Sequence, residues 1–447
     1  MTSHLLAPLD LAFWNMESAE HPMHLGALGV FTAQSPSAAA HAADLLAARA
    51  AAVPGLRMRI RDVWPLGFPT AFGGAAREPD PDFDPLDHVT LGAPTADFQA
   101  EAGRLMQRPL ERGRPPWEVH VLPGQDGLSF AVLFKFHHAL ADGLRALTLA
   151  AAVLDPMDMP APRPRPVEPP RGLVLPDVRT LPNVLRGVLA GALSDVGRAL
   201  DIGASVALST LDVRSSAALT AGSTGTRRTA GVVIDLDDVH RVRKVVGGTV
   251  NDVLIAVVAG ALRRWLDERG DGSEGVAPRA LIPVSKRRPR TAHPQGNRLS
   301  GYLMRLPVSD PDPLRRLATV RAAMDRNKDA GPNRGPGAVA LLADHVPALG
   351  HRLGGPLVGQ AARLWFDILV TSVPLPSIGL KLGGNPVTAV YPFAPLARGQ
   401  SLAVAISTYR GRVHYGLVAD AHAVPDLDRL ARALTEEVET LITACEA

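Results

Sequence analysis

The 447-residue chain has a single cysteine, Cys445. That excludes a disulfide within the chain and a cysteine-ligated metal cluster, and it fits a reducing compartment. Aromatic residues make up only 4%, so the core has to be built from Ala, Leu and Val. Lysine is scarce, five of 47 basic residues, and the remainder are arginine. The formal net charge is nonetheless only +3, too small a surplus to argue for a nucleic-acid partner. The longest segments without a charged residue, 21–43 and 382–397, are interrupted by prolines. Neither supplies the ~20 continuous apolar residues of a membrane span. Residues 1–10 show no basic region followed by an apolar run, so no secretory signal is expected there. There is no Walker or dinucleotide-binding glycine pattern, which argues against nucleotide hydrolysis and nicotinamide chemistry. The histidines outside one short motif are scattered without metal-ligand spacing, and no metal is expected. These absences describe a cytoplasmic protein, soluble or peripheral to a membrane.

What is present is globular. Hydrophobic residues are 46% and charged residues 20%, values that exclude wholesale disorder. The length suggests two large domains. In residues 156–182, nine of 27 positions are proline, and such a stretch neither propagates helix nor pairs as a central strand. The expected organisation is therefore an N-terminal domain over 1–155, a linker over 156–182 and a C-terminal domain over 183–447. Residues 128–136 (LSFAVLFKF) read as a buried strand, and 144–154 (LRALTLAAAVL) as a helix. Residues 249–268 read as a long buried helix with Asn251 and Asp252 in its first turn. Strands are expected over 388–391, 401–409 and 412–418, with a hairpin turn at 409–412. Leu427, Leu430, Leu434, Val438 and Leu441 recur at helical spacing. The segment 183–220 reads as a structural helical pair or as an amphipathic face that touches lipid. Strands and helices alternating in both halves indicate an α/β or α+β chain of two layered domains.

The chemistry concentrates in His137-His138-Ala139-Leu140-Ala141-Asp142-Gly143. Successive strand side chains point to opposite faces, so only one of the two histidines can face a given cavity. A neutral imidazole is suited to take a proton from an alcohol. Asp142 stands at the start of the next helix, where the dipole favours a carboxylate. Gly143 permits a tight turn or a close backbone approach. An isolated pair of histidines is usually incidental; HHxxxDG directly after a buried strand is far more specific. Weaker candidates are Lys286 and Arg287, in a basic run that could meet phosphates or could be an ordinary solvated loop. Asn251 and Asp252 could line a tunnel or cap their helix, and Trp117 reads as a packing residue.

The motif resembles that of the CoA-dependent acyltransferase superfamily, and the chain is more closely similar to the bacterial wax ester synthase/diacylglycerol acyltransferase family. The likeness extends to Pro8-Leu9-Asp10 with Phe13, Glu17-Ser18, His21 to Gly26, Arg114 to His120, Asn251-Asp252-Val253, Gly296-Asn297 and the tail from Pro395 to Asp428. Two departures stand out: Pro116 where the family usually has Leu, and Thr371-Ser372-Val373-Pro374-Leu375-Pro376 where it usually reads Ser-Asn-Val-Pro-Gly-Pro. The resemblance implies two chloramphenicol-acetyltransferase-like α/β halves with a substrate tunnel between them. It implies His138 as general base with His137 its motif neighbour, and Asp142 as a structural carboxylate paired with an arginine. It also implies acyl-CoA as co-substrate without a resident cofactor, and a lipid alcohol, diacylglycerol or fatty alcohol, as acceptor. Transfer would be direct, without an acyl-enzyme, and the protein would visit a membrane or lipid-droplet surface to collect its acceptor. Two other readings are a relative that acylates a polyketide or glycolipid hydroxyl, and a lipid-droplet-binding relative without turnover.

Overall fold

A computed structural model describes residues 4–63, 74–156, 216–221, 224–285, 299–330, 366–375 and 378–447. Most of the proline-rich stretch, nearly all of 183–220, and Lys286, Arg287, Gly296 and Asn297 lie outside these residues. The strands are β1 (His4–Leu5), β2 (His24–Thr32), β3 (Met58–Val63), β4 (Gly74–Pro79), β5 (Val89–Leu91), β6 (Trp117–Pro123), β7 (Ser129–His137), β8 (Arg227–Asp235), β9 (Arg279–Ser285), β10 (Leu299–Arg305), β11 (Ile368–Pro374), β12 (Lys381–Leu382), β13 (Asn385–Phe393), β14 (Leu402–Tyr409) and β15 (Arg412–Asp420). The principal helices are α1 (Pro8–Met16), α2 (Ala38–Ala50), α3 (Phe98–Met106), α4 (Gly143–Val153), α5 (Leu236–Val246), α6 (Val250–Arg269), α7 (Pro313–Ala330) and α8 (Leu427–Glu446).

Two six-stranded sheets dominate the described residues, ordered β12-β13-β2-β7-β6-β5 and β10-β9-β11-β14-β15-β8. A small third sheet, β1-β4-β3, lies beside the first. The mixed α/β class is as expected. The first sheet draws strands from both sides of residues 156–182: β12 and β13 come from the second half yet pair into it, β13 running antiparallel to β2. Their reason for doing so is the edge of β2, which on the first half's own residues would leave a row of unpaired amides and carbonyls.

Local sequence explains the main elements. Helix α6 opens on a capping box in which the Thr249 side chain accepts the Asp252 N–H and Asp252 accepts the Thr249 N–H; it closes on Gly270 in the left-handed region. Its apolar residues face every direction because α6 is buried between its sheet, α7 and α8. Tyr409 pairs with Arg412 across a two-residue turn, with Arg410 and Gly411 both at positive φ, the geometry that matches strand twist. Leu28, Leu133, Phe393, Ala403, Ala405 and Val418 form a layer between the two sheets.

The sheets pass close to one another where β15 crosses β13. A Cβ built on Gly416 would stand 1.8 Å from the Pro392 carbonyl oxygen, and that oxygen belongs to a strand held on its other side by β2. Gly416→Ala should therefore force the sheets apart, at a cost of about 3 kcal/mol or more. Thermal unfolding would check this; an unchanged melting temperature would show that the contact yields without effect.

Candidate active site

Strand β7 delivers both histidines and then stops. His137 is its last residue, and the backbone amides of Leu140 and Ala141 both bond back to the His137 carbonyl. The alternation expected of a strand holds: Phe134, Phe136 and His138 face one cavity, while His137 points to the other side. His137 is fully buried. Its Nδ1 accepts the Ala139 N–H at 3.0 Å, so the ring hydrogen sits on Nε2, 3.4 Å from Glu17 Oε1. Burial alone would raise the Glu17 carboxyl. Its contacts with His137, the Met23 N–H and Arg112 outweigh that, and it is held below its ordinary value. Trp14 meets His137 edge-on at 5.1 Å. His137 therefore shapes the turn that carries the motif and is shut away from the cavity.

His138 is partly open to the cavity although remote from bulk solvent. Phe13 stacks on its ring at 4.1 Å with an interplanar angle of 17°, and its backbone N–H donates to the Met23 carbonyl at 2.8 Å. Burial pushes its pKa down to about 4; neighbouring His137 acts in the same direction, against its own backbone hydrogen bond and Asp142. The imidazole is neutral at pH 7, a base with an available lone pair.

Asp142 is buried and forms the N-cap of α4, its Oδ1 accepting the Arg145 N–H at 2.8 Å. The buried arginine of this region is Arg77 on β4. It bonds Asp10 Oδ2 at 2.8 Å and also donates to the Ala139 carbonyl inside the motif. Burial pushes its pKa below the ordinary arginine value; Asp10, joined more weakly by Asp142, offsets this only in part, and Arg145 acts in the same direction as burial. A Cβ on Gly143 would lie 3.2 Å from Val373 Cγ2 on β11, so the glycine lets the opposite sheet approach the start of α4.

His138, Asp142 and Gly143 open onto a cavity of about 530 Å3 between the sheets. Its walls are overwhelmingly apolar, drawn from β2, β7, α4, β11 and β13, with His138, Asp142, Asn251, Thr371, Ser372 and Ser407 among the few polar contributions. Of the two residues weighed at the start of α6, Asn251 lines the cavity and Asp252 caps the helix. Both substituted residues of the β11 segment, Ser372 and Leu375, are in the wall. Trp117 is 1% exposed, its Nε1 bonded to the Leu56 carbonyl and its ring stacked on His88, which is packing. Phe13, Asp10 and Glu17 stand in the opening segment that carried part of the family likeness, but nothing in their spacing shows that they brace the motif. Arg77 carried no sequence signal, sitting on a short strand 62 residues from the Ala139 carbonyl it meets. Among the described residues no cluster of His, Cys, Asp or Glu is arranged to hold a metal.

The two sheets meet with HHxxxDG at their seam, and comparison with known proteins gives the family. Residues 6–254 match the wax ester synthase/diacylglycerol acyltransferase catalytic domain, and residues 295–442 the C-terminal domain of the same family. A Mycobacterium tuberculosis H37Rv protein described as the probable diacylglycerol O-acyltransferase tgs2 is 31% identical over 458 residues, covering 98% of each chain. A second from the same strain, described as the probable diacylglycerol O-acyltransferase tgs1, is 29% identical, covering 98% of this chain and 95% of its own length. The solved wax ester synthase/diacylglycerol acyltransferase of Marinobacter aquaeolei VT8 shares the fold with a TM-score of 0.71 at 23% identity, over 99% of this chain and 100% of that one. The chain belongs to the wax ester synthase/diacylglycerol acyltransferase family and is an acyltransferase.

Arg77 is the buried charge on which the motif's turn rests. Arg77→Met would remove the ion pair from Asp10, itself fully buried, at a cost of about 3–5 kcal/mol. The double variant Arg77→Met/Asp10→Leu should recover part of that loss. Denaturant or thermal unfolding of the three proteins measures the coupling; strictly additive losses would show that the pair does not act as a unit.

Proposed function

We propose that this enzyme transfers a long-chain acyl group from acyl-CoA to the hydroxyl of diacylglycerol, a fatty alcohol, or both, giving triacylglycerol or wax ester. The observation that carries the reading is the neutral, ring-stacked His138 set in an apolar cavity large enough for lipid chains. Its Nδ1 is enclosed by protein, which leaves Nε2 as the nitrogen to serve a reactant. In the proposed step, Nε2 takes the acceptor's hydroxyl proton as the oxygen attacks the thioester carbonyl. The tetrahedral intermediate then collapses, the carbon–sulfur bond breaks, and the proton passes to the departing CoA thiolate. Transfer is direct and needs no acyl-enzyme. His137 and Asp142 act through the turn: the first fixes its shape by accepting the Ala139 N–H, and the second starts α4. Lys286 and Arg287 remain candidates for the CoA phosphates on sequence grounds alone.

His138→Ala should lower turnover by roughly 10²–10⁴-fold, with little change in melting temperature because the ring lines a cavity. For the intact enzyme, the pKa of about 4 predicts that kcat/KM stays level on acidification until about pH 5 and falls below that, as the base becomes protonated. CoA release measured alongside lipid product, with palmitoyl-CoA and a panel of acceptors, checks both. Near-normal esterification by the alanine variant, or a fall already centred near pH 6.5, would sink the assignment.

No single described helix is long and apolar enough to cross a membrane. Diacylglycerol and fatty alcohols reside in bilayers and droplets, so the reading includes a visit to such a surface. The segment 183–220, with arginines for anionic head groups, is the candidate for contact. The intact chain should float with anionic liposomes at low salt and less at high salt, and Arg186→Glu/Arg198→Glu/Arg214→Glu should weaken flotation. Equal flotation of both proteins would remove the segment from this role.

A further inference from the structure

The cavity has a direction. At one end Ser372 and Pro374 of its wall are exposed to solvent. At the other, Leu154, Leu380 and Val387 are only 8%, 5% and 2% exposed. Between these ends the wall is a stripe of α4, Gly143 with Leu144, Ala146 with Leu147 and Ala150 with Ala151, one helix face that Leu154, just past the helix end, continues. The stripe is about 17 Å long at 1.5 Å per residue, the reach of an extended fatty chain of ordinary length. Ala146, Ala150 and Ala151 of its middle positions are alanines, beside one leucine, Leu147, and room along a closely packed interior exists only where side chains are small.

The deep end is held by a polar clamp. Asp155, just past α4, accepts the N–H groups of Gly383 and Gly384 at 2.9 and 2.8 Å, and Arg49 of α2 bonds both Asp155 and the Val153 carbonyl. The Asp155 N–H donates to the Lys381 carbonyl at 2.9 Å. These bonds tie the last turn of α4 to the β12–β13 hairpin, and so place Leu154 beside Leu380 across the bottom of the cavity.

We infer that this face of α4 is the enzyme's ruler for the acyl chain: the chain runs from His138 past Ala150 and Ala151 and ends against Leu154 and Leu380. The inference rests on the acyl-transfer reading above and adds the residues that set donor chain length. The test is kcat/KM for hexanoyl-, palmitoyl- and arachidoyl-CoA at one fixed acceptor alcohol, and for a short and a long alcohol at fixed palmitoyl-CoA, for the intact enzyme, Ala150→Leu and Leu154→Ala, with melting temperatures recorded. Ala150→Leu should lower the palmitoyl-to-hexanoyl ratio at least tenfold by filling the slot. Leu154→Ala should raise the arachidoyl-to-palmitoyl ratio severalfold by removing the stop, and it decides the matter alone if the bulkier variant fails to fold. Unchanged ratios in a folded Leu154→Ala protein overturn the ruler while leaving the transferase reading intact. A change in acceptor length preference with donor preference unmoved also overturns it, because the stripe would then house the alcohol. An intact enzyme that transfers no acyl group to any alcohol overturns the transferase reading, and the ruler with it.

Discussion

Arg77 stands between the Asp10 carboxylate and the carbonyl of Ala139, all three sealed from water. That contact ties three elements together: α1, which supplies Asp10; the small β1-β4-β3 sheet, which supplies Arg77; and the turn that follows β7. Because α1 is fixed there, Phe13 lies flat on His138 and Glu17 reaches His137. A buried ion pair is no guarantee of stability, since each charge gives up its hydration. Its value here is positional. It sets where a turn of backbone sits, and with it where one imidazole sits.

The electrostatics of the motif follow from that placement. His137 and His138 are adjacent in sequence yet live in different surroundings. One is locked among Glu17, Trp14 and the Ala139 amide. The other is pressed against Phe13 on the wall of an apolar space. Burial in that wall disfavours a charged ring, which is why the His138 pKa falls to about 4. A weaker base results, but one that is available at every physiological pH. The surrounding wall of Ala, Leu, Val and Phe offers the ring few polar partners.

Much of this was legible in the sequence because it is local. The apolar run before HHxxxDG, the alanine-rich helix after it, the Asn-Asp pair at the head of α6 and the 409–412 hairpin are each written in consecutive residues, and the observed elements agree within a residue or a few. Non-local features were not legible. Nothing about residues 381–393 announces that they will complete the first half's sheet, since that is decided by an open edge more than 350 positions earlier in the chain. Arg77 looks like any other arginine in a chain that has dozens. Asp155 reads as the end of a helix, where a carboxylate is poorly placed against the dipole; only the folded chain supplies the two glycine amides and Arg49 that hold it.

The insertion of β13 beside β2 has a bearing on how the molecule is made. Synthesis runs from the N-terminus, and the first half's residues leave the ribosome long before 385–393 do. Throughout that interval β2 presents a bare edge, and the hairpin that holds α4's last turn has not yet been synthesised. Closing so long a loop gives the pairing a high contact order, which slows folding. The first half, although it carries the entire motif, therefore becomes a finished sheet only when the second half reaches back to complete it.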